Sequence, residues 1–159
     1  MSELIWPLQT HEYPIPQGND PGAFGVQRRG YIHSGVDLYC EPGTEVYAME
    51  DGVVVSVEDF TGSKNGSPWW NDTQGILIKG ETGVICYGEV DPLVKIGDEV
   101  KQGQMIAKVL TVMKKYKGNP MTMLHFELYN HETKTAAEWI KKEERPDNLL
   151  DPTPMLLKL

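Results

Sequence analysis

Two short segments hold most of the residues in this chain that could do chemistry. His33-Ser34-Gly35-Val36-Asp37 offers an imidazole and a carboxylate, and Met123-Leu124-His125-Phe126-Glu127 offers a second imidazole and a second carboxylate. Two histidines and one carboxylate form the protein ligand set of an open zinc site, whose fourth position holds water. Bound zinc lowers the pKa of that water to roughly 7. Alternate residues of a strand share a face. Read as strands, His33, Gly35 and Asp37 point one way, with Gly35 leaving room for an ion between the ligands. Met123, His125 and Glu127 share a face by the same rule. Neighbouring strands would bring His33, Asp37 and His125 onto one metal, with Glu127 behind a ligand imidazole to orient it. Spacing alone leaves the alternative open, since a lone strand histidine is more often structural.

The elements that must position these residues are short and β-rich. Residues 1–21 read as an irregular lead-in with many turn formers, and 22–159 as a single domain. Tyr31–Tyr39 alternates as a strand and stops at Glu41-Pro42-Gly43. Glu45–Met49 and Gly52–Val57 are β-rich and flank a turn signal at Glu50-Asp51-Gly52. Thr61–Asp72 is a polar loop carrying Trp69 and Trp70. Gly75–Lys79 and Gly83–Tyr87 form a hairpin, and strands follow at Glu99–Val100, Met105–Val112 and Met123–Tyr129. Thr135-Ala136-Ala137-Glu138 reads as a capping box opening one late helix that runs to about Glu144, before Pro146, with Trp139 and Ile140 packed on the sheet. Many short strands and one C-terminal helix predict a mainly antiparallel β-sandwich or barrel-like hybrid.

Composition narrows the partners. The 159 residues include 23 acidic and 15 basic ones, for a net charge of -8. That balance disfavours nucleic acid and anionic membrane surfaces and tolerates a bound cation. Cys40 and Cys86 are too few for a disulfide framework, and reduced thiols are the expectation. The N-terminal residues show no basic region followed by an apolar run, so a cytoplasmic protein is expected unless a leader has been removed.

Longer blocks extend the two segments. His33-Ser34-Gly35-Val36-Asp37-Leu38 continues into Pro42-Gly43-Thr44-Glu45-Val46-Tyr47-Ala48 and Asp51-Gly52-Val53-Val54. Cys86-Tyr87-Gly88-Glu89, Ile96-Gly97-Asp98-Glu99-Val100-Lys101-Gln102-Gly103-Gln104-Met105-Ile106, Leu124-His125-Phe126-Glu127-Leu128 and Asp151-Pro152 follow in order. This series resembles the lysostaphin/LytM-type zinc endopeptidases, which cut peptide cross-links in bacterial peptidoglycan, over roughly residues 22–156. The resemblance implies an antiparallel β-fold with zinc in a groove, held by His33, Asp37 and His125. It also implies two further, non-ligand histidines that activate the water and steady charge on the substrate. At those positions this chain has Glu89 and Met123. Methionine has no proton to give. Glu89 could act as a general base, fill the fourth metal position, or be a solvated surface carboxylate.

The resemblance therefore implies a metallopeptidase-like protein, catalytically impaired or inactive, whose groove binds a peptide or protein. An active zinc hydrolase using Glu89 is the alternative. Trp69, Trp70 and Tyr87 are candidate groove residues, although each could instead pack its own domain. Cys86 alternates with Tyr87 and is expected to face away from the site. Arg28 and Arg29 could meet a substrate carboxylate or be solvated, and His11 and His131 read as surface histidines. A third class is a biotinyl or lipoyl carrier. Gly97-Asp98-Glu99-Val100 to Ile106, followed by Val112-Met113-Lys114, resembles its hammerhead, but the spacing to Lys114 is one residue too long and the histidine segments are left unused.

Overall fold

Gly- and Pro-rich turns cut the chain into short strands, and a computed structural model describes residues 3–113 and 122–159. Lys114, the lysine of the carrier alternative, lies outside the described residues. In chain order the strands are β1 (Gln27–Arg28), β2 (Tyr31–Ile32), β3 (Val36–Tyr39), β4 (Glu45–Tyr47), β5 (Gly52–Thr61) and β6 (Thr73–Gly80). They continue as β7 (Val84–Pro92), β8 (Glu99–Val100), β9 (Met105–Val109), β10 (Met123–Tyr129) and β11 (Leu149–Leu150), and a single-turn helix α1 (Thr153–Leu156) follows. β1 and β2 form a separate hairpin, and the other nine strands form one antiparallel sheet. Its main path runs β11-β10-β7-β6-β5-β8, with β3 also paired to β10, and β9 joining β4 to β7. The expected mainly β, antiparallel architecture is what is found.

The sheet buries apolar side chains on both faces. Val54, Ile76, Ile78, Ile85, Tyr87, Leu124 and Phe126 belong to the larger core. Ile32, Leu77, Cys86, Tyr129, Trp139 and Leu149 form a smaller one on the other face. β10 runs between the two and is buried at all seven positions. Its even-numbered residues enter the large core, while Met123, His125, Glu127 and Tyr129 look the other way. The N-terminal lead-in docks on this body. Leu8 is buried and bridges to Val46, and the Ile5 amide donates to Met49 O. Among the described residues no helix is long and apolar enough to cross a membrane.

The late helix is not where the capping-box pattern puts it. Residues 135–144 are irregular, and the helix of the structure is α1, in the C-terminal tail. The reason is where the backbone donors go. The Ala136 amide donates to Glu58 Oε1 and the Ala137 amide to Tyr129 Oη, while Trp139 O accepts from the Ile32 amide at 2.7 Å. Trp139 is plugged into the smaller core, and Ile140 is exposed rather than packed on the sheet. Three tertiary hydrogen bonds and a buried indole outweigh a modest local preference.

Candidate metal centre

His33 and Asp37 do not share one regular strand. The expected strand 31–39 breaks after Ile32 and resumes at Val36, so His33 sits in the connection between β2 and β3. Asp37 is on β3, directly opposite His125 on β10. At Gly35, within the break, the chain packs directly on β10. A Cβ there would lie 2.4 Å from Phe126 O and 3.0 Å from His125 Nε2. The space above Gly35 is thus filled by β10 itself and is not kept for an ion.

The three side chains nevertheless converge. His33 Nε2 lies 3.1 Å from Asp37 Oδ1 and 3.2 Å from His125 Nδ1, and His125 Nδ1 lies 3.1 Å from the same Asp37 oxygen. All three residues are buried. Bonds of about 2.0–2.1 Å to a tetrahedral ion set neighbouring donor atoms about 3.3 Å apart. The triangle matches one face of such a tetrahedron.

The hydrogen bonds behind the triangle say which atoms are lone pairs. His33 Nδ1 lies 2.8 Å from Ala23 O, an acceptor only, so this nitrogen carries the proton and Nε2 points its lone pair inward. His125 Nε2 donates in the same way to Glu127 Oε2 at 2.8 Å. Three acceptor atoms therefore meet, and without a cation among them they repel. In the metal-free protein an extra proton on His125 supplies that charge. Burial alone would pull its pKa down, but hydrogen bonds to Asp37 and Glu127 carry it well above the usual histidine value. Burial likewise pushes Asp37 up, yet its bonds to His125 and His33 outweigh that and hold it well below the carboxylate range.

A groove of about 520 Å³ opens over the triangle. Met123, His125 and Glu127 line it together, as alternation along one strand predicts. Glu89 enters from a bulge in β7, where the register to β6 shifts between Gln74 and Ile76. Its φ of 66° makes it the one non-glycine residue with positive φ among those described. Such backbone is uncommon and concentrates at functional sites. Glu89 Oε2 is enclosed and has no hydrogen-bond partner among the described residues. Burial pushes this carboxyl up to about 8. Glu89 lies outside the group whose ligand atoms sit within 4.8 Å of one another, so the geometry does not make it a fourth ligand.

The other candidates divide. Trp70 lines the groove, whereas Trp69 stands 63% exposed outside it. Tyr87 is no groove residue. It is buried in the large core, where its hydroxyl accepts the Met49 amide at 3.0 Å. Cys86 faces the other way from expectation. It is paired with Glu127, so both side chains leave the same face of the sheet, in the smaller core behind the site. The bulge at Glu89 reverses which side of β7 meets the groove, so Cys86 rather than Tyr87 shares the face of Glu127. Burial pushes the Cys86 thiol well up, which keeps it inert, and Cys40 and Cys86 are both free. Phe60 is a groove residue that spacing could not reveal. Its ring lies 5.2 Å from that of His125, in a niche where a Cβ on Gly75 or Gly88 would meet it at 2.8 or 3.0 Å.

Residues 31–137 match the family model of Peptidase family M23. This chain belongs to peptidase family M23. Its M23 fold also appears among solved structures. The catalytic domain of lysostaphin from Staphylococcus simulans aligns with a TM-score of 0.56 at 23% identity, covering 91% of this chain and 92% of that one. A zinc-containing peptidase from Vibrio cholerae aligns with a TM-score of 0.54 at 25% identity, covering 86% of this chain and 38% of that one. Other matched M23-type chains are spanned over about half their length. Among curated proteins, leukocyte cell-derived chemotaxin-2 of Bos taurus is 29% identical over 109 residues, 69% of this chain and 68% of that protein. The M23 peptidases are zinc-dependent, and this M23 chain carries a buried two-histidine, one-aspartate cluster of the matching chemistry.

Proposed function

We propose that this M23 protein holds Zn²⁺ on His33 Nε2, Asp37 Oδ1 and His125 Nδ1, binds an extended peptide in the groove above, and hydrolyses it weakly or not at all. One observation carries the metal assignment. Three acceptor atoms converge at 3.1–3.2 Å while the outward nitrogen of each imidazole already donates elsewhere. Zinc bound there would supply Lewis acidity and, through an open fourth position, an acidified water. The chain's own residues provide the holding geometry but not the acid–base partner. Glu127 fixes the ring of His125 through the 2.8 Å bond to its Nε2. Met123 occupies the groove beside His125 and can neither give nor take a proton. Losing one positioned acid–base or oxyanion group typically costs roughly 10²–10⁴ in rate.

A second reading rests on Glu89. A carboxyl raised to about 8 and enclosed in the groove has the properties of a general base poised near neutral pH. One experiment separates the two. Protein purified without chelator is assayed for zinc beside His33→Ala, then tested on peptidoglycan and glycyl peptide libraries beside Glu89→Gln. We expect zinc near one equivalent in wild type, little in the variant, and no cleavage above background. Cleavage by wild type that Glu89→Gln abolishes selects the hydrolase, and wild type without zinc removes the metal site.

A further inference from the structure

We propose that Arg28 receives the terminal carboxylate of the bound peptide, so that the groove takes free C-terminal ends rather than chain interiors. This rests on the peptide-groove reading above. Arg28 sits on β1 opposite Tyr31, in a hairpin closed by Arg29 and Gly30, whose φ of 84° suits the tight turn. The guanidinium is braced from behind. Its Nη2 donates to Pro21 O at 2.5 Å and to Asp37 Oδ2 at 3.3 Å, the oxygen that takes no part in the ligand triangle. The cation is therefore fixed beside the metal cluster, at the groove wall.

Bracing does not exhaust it. The side chain keeps 29% of its surface exposed and lines the groove. Its Nε–H is enclosed at the edge of the groove and has no hydrogen-bond partner among the described residues. Guanidinium presents five donors in a planar fork that matches a carboxylate through two parallel bonds. Asp37 engages it through a single nitrogen at the long end of the hydrogen-bond range. If Arg28 only neutralised Asp37, a closer two-bond pairing would be the natural geometry.

The charges around it decide what the free donors are for. Arg28 is the one Lys or Arg lining the groove among the described residues, whereas Glu58, Asp59, Glu89 and Glu138 line it with carboxyl groups. An anion entering this acidic field has one favourable place, beside Arg28. The interior of a peptide offers no backbone anion, but its C-terminus does. Phe60, Trp70 and Trp139 provide apolar walls for the side chains upstream of that end.

The test uses zinc-loaded full-length protein and a random tetrapeptide library prepared as free acids and as C-terminal amides, with bound peptides read by affinity selection and mass spectrometry. Free acids should be enriched over amides by roughly tenfold or more, the size of a charge-assisted hydrogen bond. Arg28→Gln should erase that preference at unchanged zinc content, and Arg28→Lys should keep part of it. Equal capture of acids and amides by wild type overturns the assignment while leaving the peptide groove standing, and so does an acid preference that survives in Arg28→Gln. Capture of neither form removes the peptide groove itself. Loss of zinc from both variants makes Arg28 a support of the metal cluster and also overturns the assignment.

Discussion

Glu127 Oε2 lies 2.8 Å from His125 Nε2, two residues away on the same strand. That oxygen also accepts from Ser34 Oγ at 2.6 Å, and the other oxygen accepts from Tyr129 Oη at 2.6 Å. Burial pushes the Glu127 carboxyl up, but the bonds from His125, Ser34 and Tyr129 outweigh it and keep the group ionised. The inward lone pair of His125 is thus set by residues that do not touch the metal position.

Glu127→Gln tests this directly. The amide keeps the shape and loses the charge, so the ring is held less firmly and its inward nitrogen is less basic. Zinc affinity, measured by competition against a chelator, should fall roughly 10- to 100-fold. Ser34→Ala removes one donor to the same carboxylate and should have a smaller effect in the same direction. Unchanged affinity in Glu127→Gln would reduce this residue to packing.

Zinc binding should expel a proton. In the metal-free protein the raised pKa of His125 keeps its Nδ1 protonated at neutral pH, facing Asp37. The metal needs that lone pair. Titration calorimetry near pH 7 in buffers of different ionisation enthalpy should show about one proton released per zinc. A heat of binding independent of buffer would contradict the protonation state argued for His125.

The metal cluster was legible in the sequence because its residues lie on chemistry that short spacings preserve. Asp37 and His125 are cross-strand neighbours, and alternation along β10 correctly puts Met123, His125 and Glu127 on one face. What was not legible depends on long-range packing. The break after Ile32 holds Gly35 packed on β10, a contact between residues about ninety positions apart. The helix expected at 135–144 gives way because its amides find acceptors on Glu58 and Tyr129. The facing of Cys86 and Tyr87 is hidden from the sequence because a single bulge at Glu89 inverts the face of β7 that reaches the groove. Phe60 carries no motif at all, and only the glycines beneath it mark its niche.

Gly35→Ala should damage fold and site together. The added methyl meets Phe126 O, Glu127 Cγ and His125 Nε2, and the first of these is backbone that cannot yield. Overpacking of this kind costs about 1–3 kcal/mol. Chemical denaturation should show that loss, and zinc affinity should fall with it because β3 and β10 carry Asp37 and His125. Wild-type stability with normal zinc content would mean that the strands can part at no cost.

Glu89 should make the metal-free protein less stable as pH rises. Its carboxyl holds a proton up to about 8 in the folded state, against an ordinary value of 4.5. Between those values the folded protein binds a proton that the unfolded chain has released, so stability is fully present below about 4.5 and falls through to about 8. Denaturation of chelator-treated protein across this window should show a steeper decline in wild type than in Glu89→Gln. Parallel profiles would mean that Glu89 is ionised at neutral pH and paired with a cation.

If the missing imidazoles are what limits hydrolysis, restoring them should bring it back. Met123 is buried on the face of His125, and the half-buried Glu89 lines the same groove. The side chain of histidine is no larger than that of Met123 and only slightly larger than that of Glu89, which lines the open groove, so Met123→His and Glu89→His fit without forcing the strands apart. The double variant, loaded with zinc, should cleave glycyl peptides roughly 10²–10⁴ times faster than wild type, the range expected for a positioned acid–base group. Each single variant should recover less, because two groups that act on one transition state are not additive. A double variant that binds zinc normally and stays silent would place the defect in how peptides sit in the groove, and would turn attention from Met123 to the walls formed by Phe60 and Trp70.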